Sequence, residues 1–531
     1  MAEKEVQHSA EPEAPAKISI EKELGNAQAK AHEIGIELGH VKALKGADKM
    51  FAYASADAIS IDDATNKKLV RKIDLNVLPW LCVLYILQYL DKGVISYAGV
   101  MGLQAETGLT SAQFTWLGSI YYAGYIVAAP IHNRMFQAYA PSKWIACCVI
   151  AWGVTLTCMA GCKNFAGLMV QRTVLGALEA SINCGFSLIT ASWYRKYEHG
   201  SRTGIWSSCT GLATMIGGLI AFGCVDGQAK NPSALSSWKI LALITGLVSV
   251  VFGICMWFFM APSAVEARFF SEEEKMQAVE RLRDNHQGAG STTYKRYQAK
   301  EAFLDVRTWM YVTFVLSSQI PSAGLVLLQS ILIKSLGFTT KETLLLNIPQ
   351  GFINILCNLS FGFLADLTKQ RSGSAIAAGV FSLFWAALYI GLGNVDPFYK
   401  RYGQLVAYFF MSGSCSTAWF IVISMLSSNV LGTTKKTTLN SIVFLILGVA
   451  YFIGPQTFRD PPFYPHAKIS LIILWTVSIL VLASFYTLNR WENRRRDRLQ
   501  AERGDADEKG TGNIEFMDLT DKENKLFRYV I

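Results

Sequence analysis

Apolar residues along this chain gather into long blocks and do not alternate with polar ones. From Leu75 to Leu488, blocks approaching the length of a membrane crossing recur, separated by short polar stretches. A helix needs about 20 mostly apolar residues to cross a hydrocarbon layer about 30 Å thick. About twelve windows meet that need: 75–97, 113–132, 143–161, 165–192, 202–224, 238–260, 308–332, 342–365, 374–393, 404–430, 436–457 and 468–488. Only helices and closed barrels satisfy their backbone groups in lipid, and these windows are too long and too uniformly apolar for barrel strands. The pattern predicts an all-α polytopic membrane protein with 12 transmembrane helices in two six-helix halves.

Six windows, a polar stretch and six more windows give two similar hydropathy halves, the arrangement of transporters built from internal repeats. The expected divisions are a mobile cytosolic tail over 1–70, a first six-helix half over 71–260, a cytosolic linker with a surface helix over 261–306, a second six-helix half over 307–490, and a cytosolic tail over 491–531. The first tail is rich in Glu, Lys and Ala and too poor in aromatic residues to form its own core. In the linker, Ser271 followed by Glu272, Glu273 and Glu274 reads as a helix N-cap with an acidic first turn, starting a helix through Arg283. In the fifth window Ala213, Gly217 and Ala221 form a small-residue face suited to close helix packing.

Charge refines this picture. The net charge of +9 is concentrated over 268–307 and 490–498, which reads as positive-inside bias, not as a nucleic-acid surface. Lys and Arg are nearly balanced across the short loops, so the linker and tails set the orientation, with both termini cytosolic. Residues 1–70 hold no apolar signal-peptide region. The eleven cysteines lie mostly inside windows without metal-ligand spacing and read as small apolar fillers. His132, His199 and His466 are isolated, so no metal, cofactor or catalytic group is expected. The Asn358-Leu359-Ser360 sequon falls inside a window and is discounted.

Charged side chains within a bilayer cost several kcal/mol unless they pair or face a wet cavity. Asp91 and Lys92 in the first window, and Arg172 and Glu179 in the fourth, are therefore the informative residues. Arg172 and Glu179 are seven residues apart, which returns them to nearly one helix face after two turns. A cation such as Lys92 or Arg172 can bind a substrate carboxylate, and an acid in low dielectric can exchange protons in competition with that cation. The bland alternative is a static ion-pair network joining the two helices. Among the polar residues of the second half, Asn347, Gln350 and Asn354 share a face.

The sequence resembles the major facilitator superfamily, within it the anion:cation symporters, and most closely the fungal allantoate permease group. The likeness is carried by Arg71-Lys72-Ile73-Asp74, Tyr89-Leu90-Asp91-Lys92, the run from Gln171-Arg172 through Leu178-Glu179-Ala180, Trp193-Tyr194-Arg195, Arg202-Thr203-Gly204-Ile205-Trp206, Leu346-Asn347-Ile348-Pro349 and Gly454-Pro455-Gln456-Thr457-Phe458-Arg459-Asp460. The resemblance implies Asp91 and Glu179 as proton sites and Lys92 and Arg172 as substrate contacts; Asn347 and Gln350 are the second half's candidate substrate contacts on their spacing alone. Gly362-Phe363-Leu364-Ala365-Asp366 with Arg371 echoes the superfamily's loop signature and implies gating roles for Asp366 and Arg371. The first-half counterpart, Pro130-Ile131-His132-Asn133-Arg134, lacks the acid. Many anion:cation symporters carry Arg after the first-span Asp, so Lys92 is a departure that replaces a bidentate fork by a point charge.

The expected function is proton-coupled symport of a small organic anion, such as allantoate or another carboxylate, by a monomeric multi-pass protein of the plasma membrane. Its partners are the anion, protons and the lipid bilayer, with no nucleic acid. The alternatives are an exporter of an organic metabolite or drug and a non-transporting nutrient receptor, and an intracellular membrane is the alternative location. Drug-antiporter relatives carry a Gly-Pro-rich fifth span, whereas 204–223 holds no Pro.

Overall fold

Each predicted window is realised as a helix. The computed structural model describes residues 62–195, 198–231, 235–264, 266–281, 295–394, 399–461, 464–503, 520–524 and 527–530. The first half holds α1 (Leu78–Val100), α2 (Ser111–Ala138), α3 (Pro141–Cys158), α4 (Phe165–Glu179 and Ser181–Trp193), α5 (His199–Lys230) and α6 (Ser237–Phe259). The second holds α7 (Val306–Ser335), α8 (Asn347–Thr368), α9 (Arg371–Gly391), α10 (Gln404–Ser414 and Thr417–Asn429), α11 (Thr433–Ile453) and α12 (Pro465–Arg503). Ten of these crossings are long and apolar enough to span a bilayer by themselves. The other two are α2, which carries His132, Asn133 and Arg134 near its end, and α4, which is interrupted at Ala180.

The two halves repeat one packing scheme. In the first, α1 packs on α5 and α6, α2 on α4, and α3 on α6; in the second, α7 packs on α11 and α12, α8 on α10, and α9 on α12. The halves meet where α5 crosses α8, α2 crosses α11 and α1 crosses α7. Backbones touch at two of the tightest crossings. A Cβ on Gly176 of α4 would lie 1.9 Å from the Tyr121 carbonyl of α2, and one on Gly124 would lie 2.2 Å from the Thr173 carbonyl. Between the halves, Gly211 and Gly351 face each other reciprocally, each Cβ position falling 2.4 Å from the other residue's carbonyl oxygen. Lipid offers no hydrophobic drive for helix association, so such close approach supplies the packing energy. The face of Ala213, Gly217 and Ala221 is turned to α1, where Gly217 abuts the Tyr97 ring.

Surface elements complete the ends. The sequence places 1–70 in a mobile tail, yet a helix already begins at Asp63, capped by Asp62 (Asp63–Asn76); residues 1–61 lie outside the described part. The linker helix Glu272–Arg281 starts with reciprocal bonds between Ser271 and Glu274, at 3.2 and 3.1 Å; Arg283 lies outside the described residues. Lys72 meets Glu274 at 2.5 Å and holds its carboxyl below the usual range. Arg281, fully buried, pairs with Glu198 and donates to Asn66 at 2.8 Å. At the far end, α12 continues more than three turns beyond Arg490.

Contacts joining the halves concentrate on the side opposite the linker. Lys341 pairs with Asp226 at 2.6 Å, Lys334 donates to the Val100 carbonyl at 2.9 Å, the Ser330 amide donates to Ser96 at 3.1 Å and Gln456 to Ser119 at 2.8 Å. These close that side.

Two glycine substitutions are expected to act with opposite signs. Gly176→Val drives a side chain into the α2 backbone and should destabilise by on the order of 3 kcal/mol or more. Gly223→Ala, on α5 with nothing within 4 Å of its Cβ position, should be neutral or stabilise by up to about 1 kcal/mol. Thermal unfolding of detergent-solubilised protein followed by size-exclusion chromatography reads both; equal midpoints for the two variants would contradict the backbone contact.

Candidate functional site

At mid-depth the halves enclose a cavity of about 580 Å³, its open mouth included. Its wall is formed by Tyr89 of α1, Thr210 and Thr214 of α5, Gln329 of α7, Gln350 and Asn354 of α8, and the stretch of α10 around its break, including Ser412, Cys415, Ser416 and Phe420. The wall is polar without being charged. Gln350 Nε2 donates to Ser412 at 3.1 Å while its Oε1 makes no hydrogen bond. Asn354 Nδ2 donates to the Gly413 carbonyl at 3.0 Å, and its Oδ1 accepts from Thr210 at 3.0 Å across the boundary between the halves. Asn354 therefore ties α5, α8 and the break of α10 together. Asn347, two turns before Asn354, is buried and accepts from Gln329 at 3.3 Å, behind the wall.

The four predicted charges gather, but not on that wall. Glu179 is wholly buried and accepts from the Tyr121 hydroxyl at 2.6 Å; its other oxygen is unpartnered. Asp91, also wholly buried, accepts from Ser249 of α6 at 3.1 Å, and its Oδ1 is unpartnered. Arg172 is 2% exposed, its Nε makes no hydrogen bond, and it forms no ion pair with a described residue. Coulombic interactions nonetheless link Arg172 to both acids and Lys92 to Glu179. Lys92 alone keeps partial exposure, and its ammonium lies 5.1 Å from the Tyr89 ring centre. Gln88, with both amide atoms unpartnered, completes this interior cluster. The acid–base cluster thus sits inside the first half, and Tyr89 is shared between it and the cavity.

Tyrosines form the partition. Tyr85 and Tyr89 pack at 5.0 Å, Tyr121 and Tyr122 at 4.8 Å, and Tyr122 meets Tyr451 of the other half at 4.8 Å. Tyr121, Tyr122 and Tyr451 escaped the sequence reading. For Tyr121 and Tyr122 the signal was position: tyrosines favour the ends of membrane spans, and these two fall in the middle of α2, whereas Tyr451, near the end of α11, carried none. The other predicted residues have local roles. Asp366 is exposed at the linker-side end of α8, and Arg371 donates to the Ser424 carbonyl at 3.0 Å and to Ser428 at 2.6 Å, fastening α9 to the end of α10. His132 bridges the Ala177 carbonyl at 2.8 Å and the Trp144 indole at 3.0 Å, a packing role among α2, α3 and α4.

Comparison with known proteins matches this geometry. The profile of the Major Facilitator Superfamily covers residues 81–455. The chain is 34% identical over 522 residues to an uncharacterised transporter of Schizosaccharomyces pombe, spanning 97% of this chain and 99% of that protein. It is 34% identical over 490 residues to the allantoate permease of Saccharomyces cerevisiae, spanning 90% of this chain and 88% of that protein. Among solved structures, the xylose transporter XylE from E. coli superposes with a TM-score of 0.58 at 13% identity, covering 78% of this chain and 97% of that one. Twelve helices in two repeated halves around a central cavity, with a profile match over most of their length, place this chain in the Major Facilitator Superfamily of membrane transporters.

Proposed function

We propose that the protein is a proton-coupled importer of a small organic anion, a carboxylate of the allantoate kind, in the plasma membrane with both termini and the linker in the cytosol. One observation carries this reading: Arg172 is buried without a carboxylate partner beside two buried acids that each keep a free oxygen. Elsewhere the chain pairs cations buried as deeply, Arg281 with Glu198 and Lys435 with three carboxylates. A buried cation left unpaired costs far more than a paired one, so the exception fits a working site better than a static brace. The likeness to an allantoate permease supports an anionic substrate.

In this mechanism the cavity wall holds the substrate's polar body through Gln350, Asn354 and Thr210. Lys92, at the Tyr89 partition, attracts its carboxylate. Negative charge arriving there competes with Glu179 for the cation, and Glu179 and Asp91 answer by taking protons. A monoanion carried with one proton moves no net charge; a second proton adds roughly 2.3 kcal/mol of drive per 100 mV.

Uptake of radiolabelled carboxylates, allantoate among them, into yeast lacking its own permeases should be faster at acidic than at neutral pH and should collapse with an uncoupler. Uptake indifferent to the uncoupler sinks the coupling. Glu179→Gln should abolish accumulation against a gradient while leaving exchange of labelled for unlabelled substrate measurable; a variant that still accumulates removes Glu179 from the proton path. Gln350→Ala should raise KM about 10-fold, the loss of one hydrogen bond of about 1.4 kcal/mol, with the turnover number little changed; an unaltered KM would take Gln350 out of the substrate contacts.

A further inference from the structure

On the linker side of the second half, residues 520–524 and 527–530 return to the bundle and seat against the ends of α7, α10, α11 and α12. Two asparagines read the backbone of this segment. Asn429, at the end of α10, accepts from the Val530 amide at 2.7 Å and donates to its carbonyl at 3.0 Å. Asn493, on α12, does the same for Tyr529 at 2.9 and 2.8 Å. Matching both the donor and the acceptor of a residue is the main-chain logic of peptide recognition. Arg496 of α12 adds three carbonyls, those of Asp521, Asn524 and Phe527, at 3.0, 3.1 and 2.9 Å.

Side chains supply selectivity. The Tyr529 ring lies 3.9 Å from the Arg307 guanidinium and 4.9 Å from that of Arg496, and its hydroxyl donates to Asp521 at 2.7 Å. Asp521 then pairs at 2.7 Å with Lys435, the buried cation of α11 that also holds Asp305 at 2.8 Å and Glu301 at 2.9 Å. One acid and one aromatic residue, eight positions apart, thereby plug a groove between α7 and α12.

We propose that residues 520–530 are a detachable strap, and that this groove is a peptide-recognition site whose occupant is the chain's own segment and whose filling fastens the second stretch of α10 to α12. That stretch, Thr417–Asn429, follows the break in α10; Phe420 near its start lines the cavity and Asn429 at its end holds the strap. Sixteen residues, 504–519, tether the strap to α12. That covalent link keeps the segment beside its groove, so a groove once vacated is refilled by the same chain. Release frees the helix stretch that carries Phe420 of the cavity wall, independently of which substrate is carried.

Hydrogen–deuterium exchange on the purified full-length protein tests this. Amides of 527–530 should exchange at least about 10-fold more slowly than in a free synthetic peptide of residues 520–531. Tyr529→Ala should remove that protection and speed exchange in 417–429 about threefold or more, while Phe165–Glu179 in the other half stays unchanged and reports an intact fold. The free peptide added at about 1 mM should restore slow exchange in 417–429. Arg496→Gln, which removes the three carbonyl contacts, should reproduce the effect if Tyr529→Ala fails to fold. Wild-type amides exchanging like the free peptide, 417–429 indifferent to both variants, or a peptide that restores nothing would each overturn the strap.

Discussion

The structure is organised around the cost of ionisable groups in a medium that does not solvate them. An ion removed from water is tolerated when an opposite charge and hydrogen bonds replace its hydration. Near the linker side that replacement is complete: Arg281 has Glu198, Asn66 and the Trp193 carbonyl, and Lys435 has three carboxylates. At mid-depth it is incomplete, with Arg172, Asp91, Glu179 and Gln88 each keeping an atom without a partner. Among the described residues, Asp91, Arg172 and Glu179 keep such atoms side by side at mid-depth of the first half, in contrast to the paired cations Arg281 and Lys435.

The halves share a packing scheme but divide the chemistry. Among the described residues the mid-depth acid–base cluster lies on α1 and α4, while the counterpart helices α7 and α10 offer an amide, hydroxyls and a cysteine to the cavity. A neutral amide wall orients a polar solute without binding it so tightly that release becomes slow, whereas a charged interior responds strongly to any nearby change in charge. The Tyr85–Tyr89 and Tyr121–Tyr122–Tyr451 contacts separate the two environments and keep the acids in low dielectric while passing their field to the cavity.

Much of this could be read from the sequence. The windows locate all twelve crossings because lipid demands long apolar helices, and the break of α4 at Ala180 leaves its window intact. Asp91, Lys92, Arg172 and Glu179 stood out because charge in an apolar run is rare, and they do assemble. Their distance from the cavity wall was not legible: seven-residue spacing puts Arg172 and Glu179 on one face but leaves open whether that face meets the other half or the interior of its own. The Gly211–Gly351 contact was hidden because each glycine is unremarkable until the other is placed against it. The docking of 520–524 and 527–530 was hidden for the same reason, since Asn429 and Asn493 become a peptide clamp only when α10 and α12 lie side by side.

The reciprocal glycine contact bears on how the two environments exchange information. At Gly211 and Gly351 the halves touch through backbone, with Ile355 lying against Gly211 and Met215 against Gly351, and a hydrogen bond from Thr210 to Asn354 spans the crossing beside it. Asn354 belongs to the cavity wall and also accepts from Asn358, which in turn accepts from Thr417 at the start of the second stretch of α10. Asn354 therefore links the crossing of the halves to the break and the second stretch of α10 through a single amide side chain.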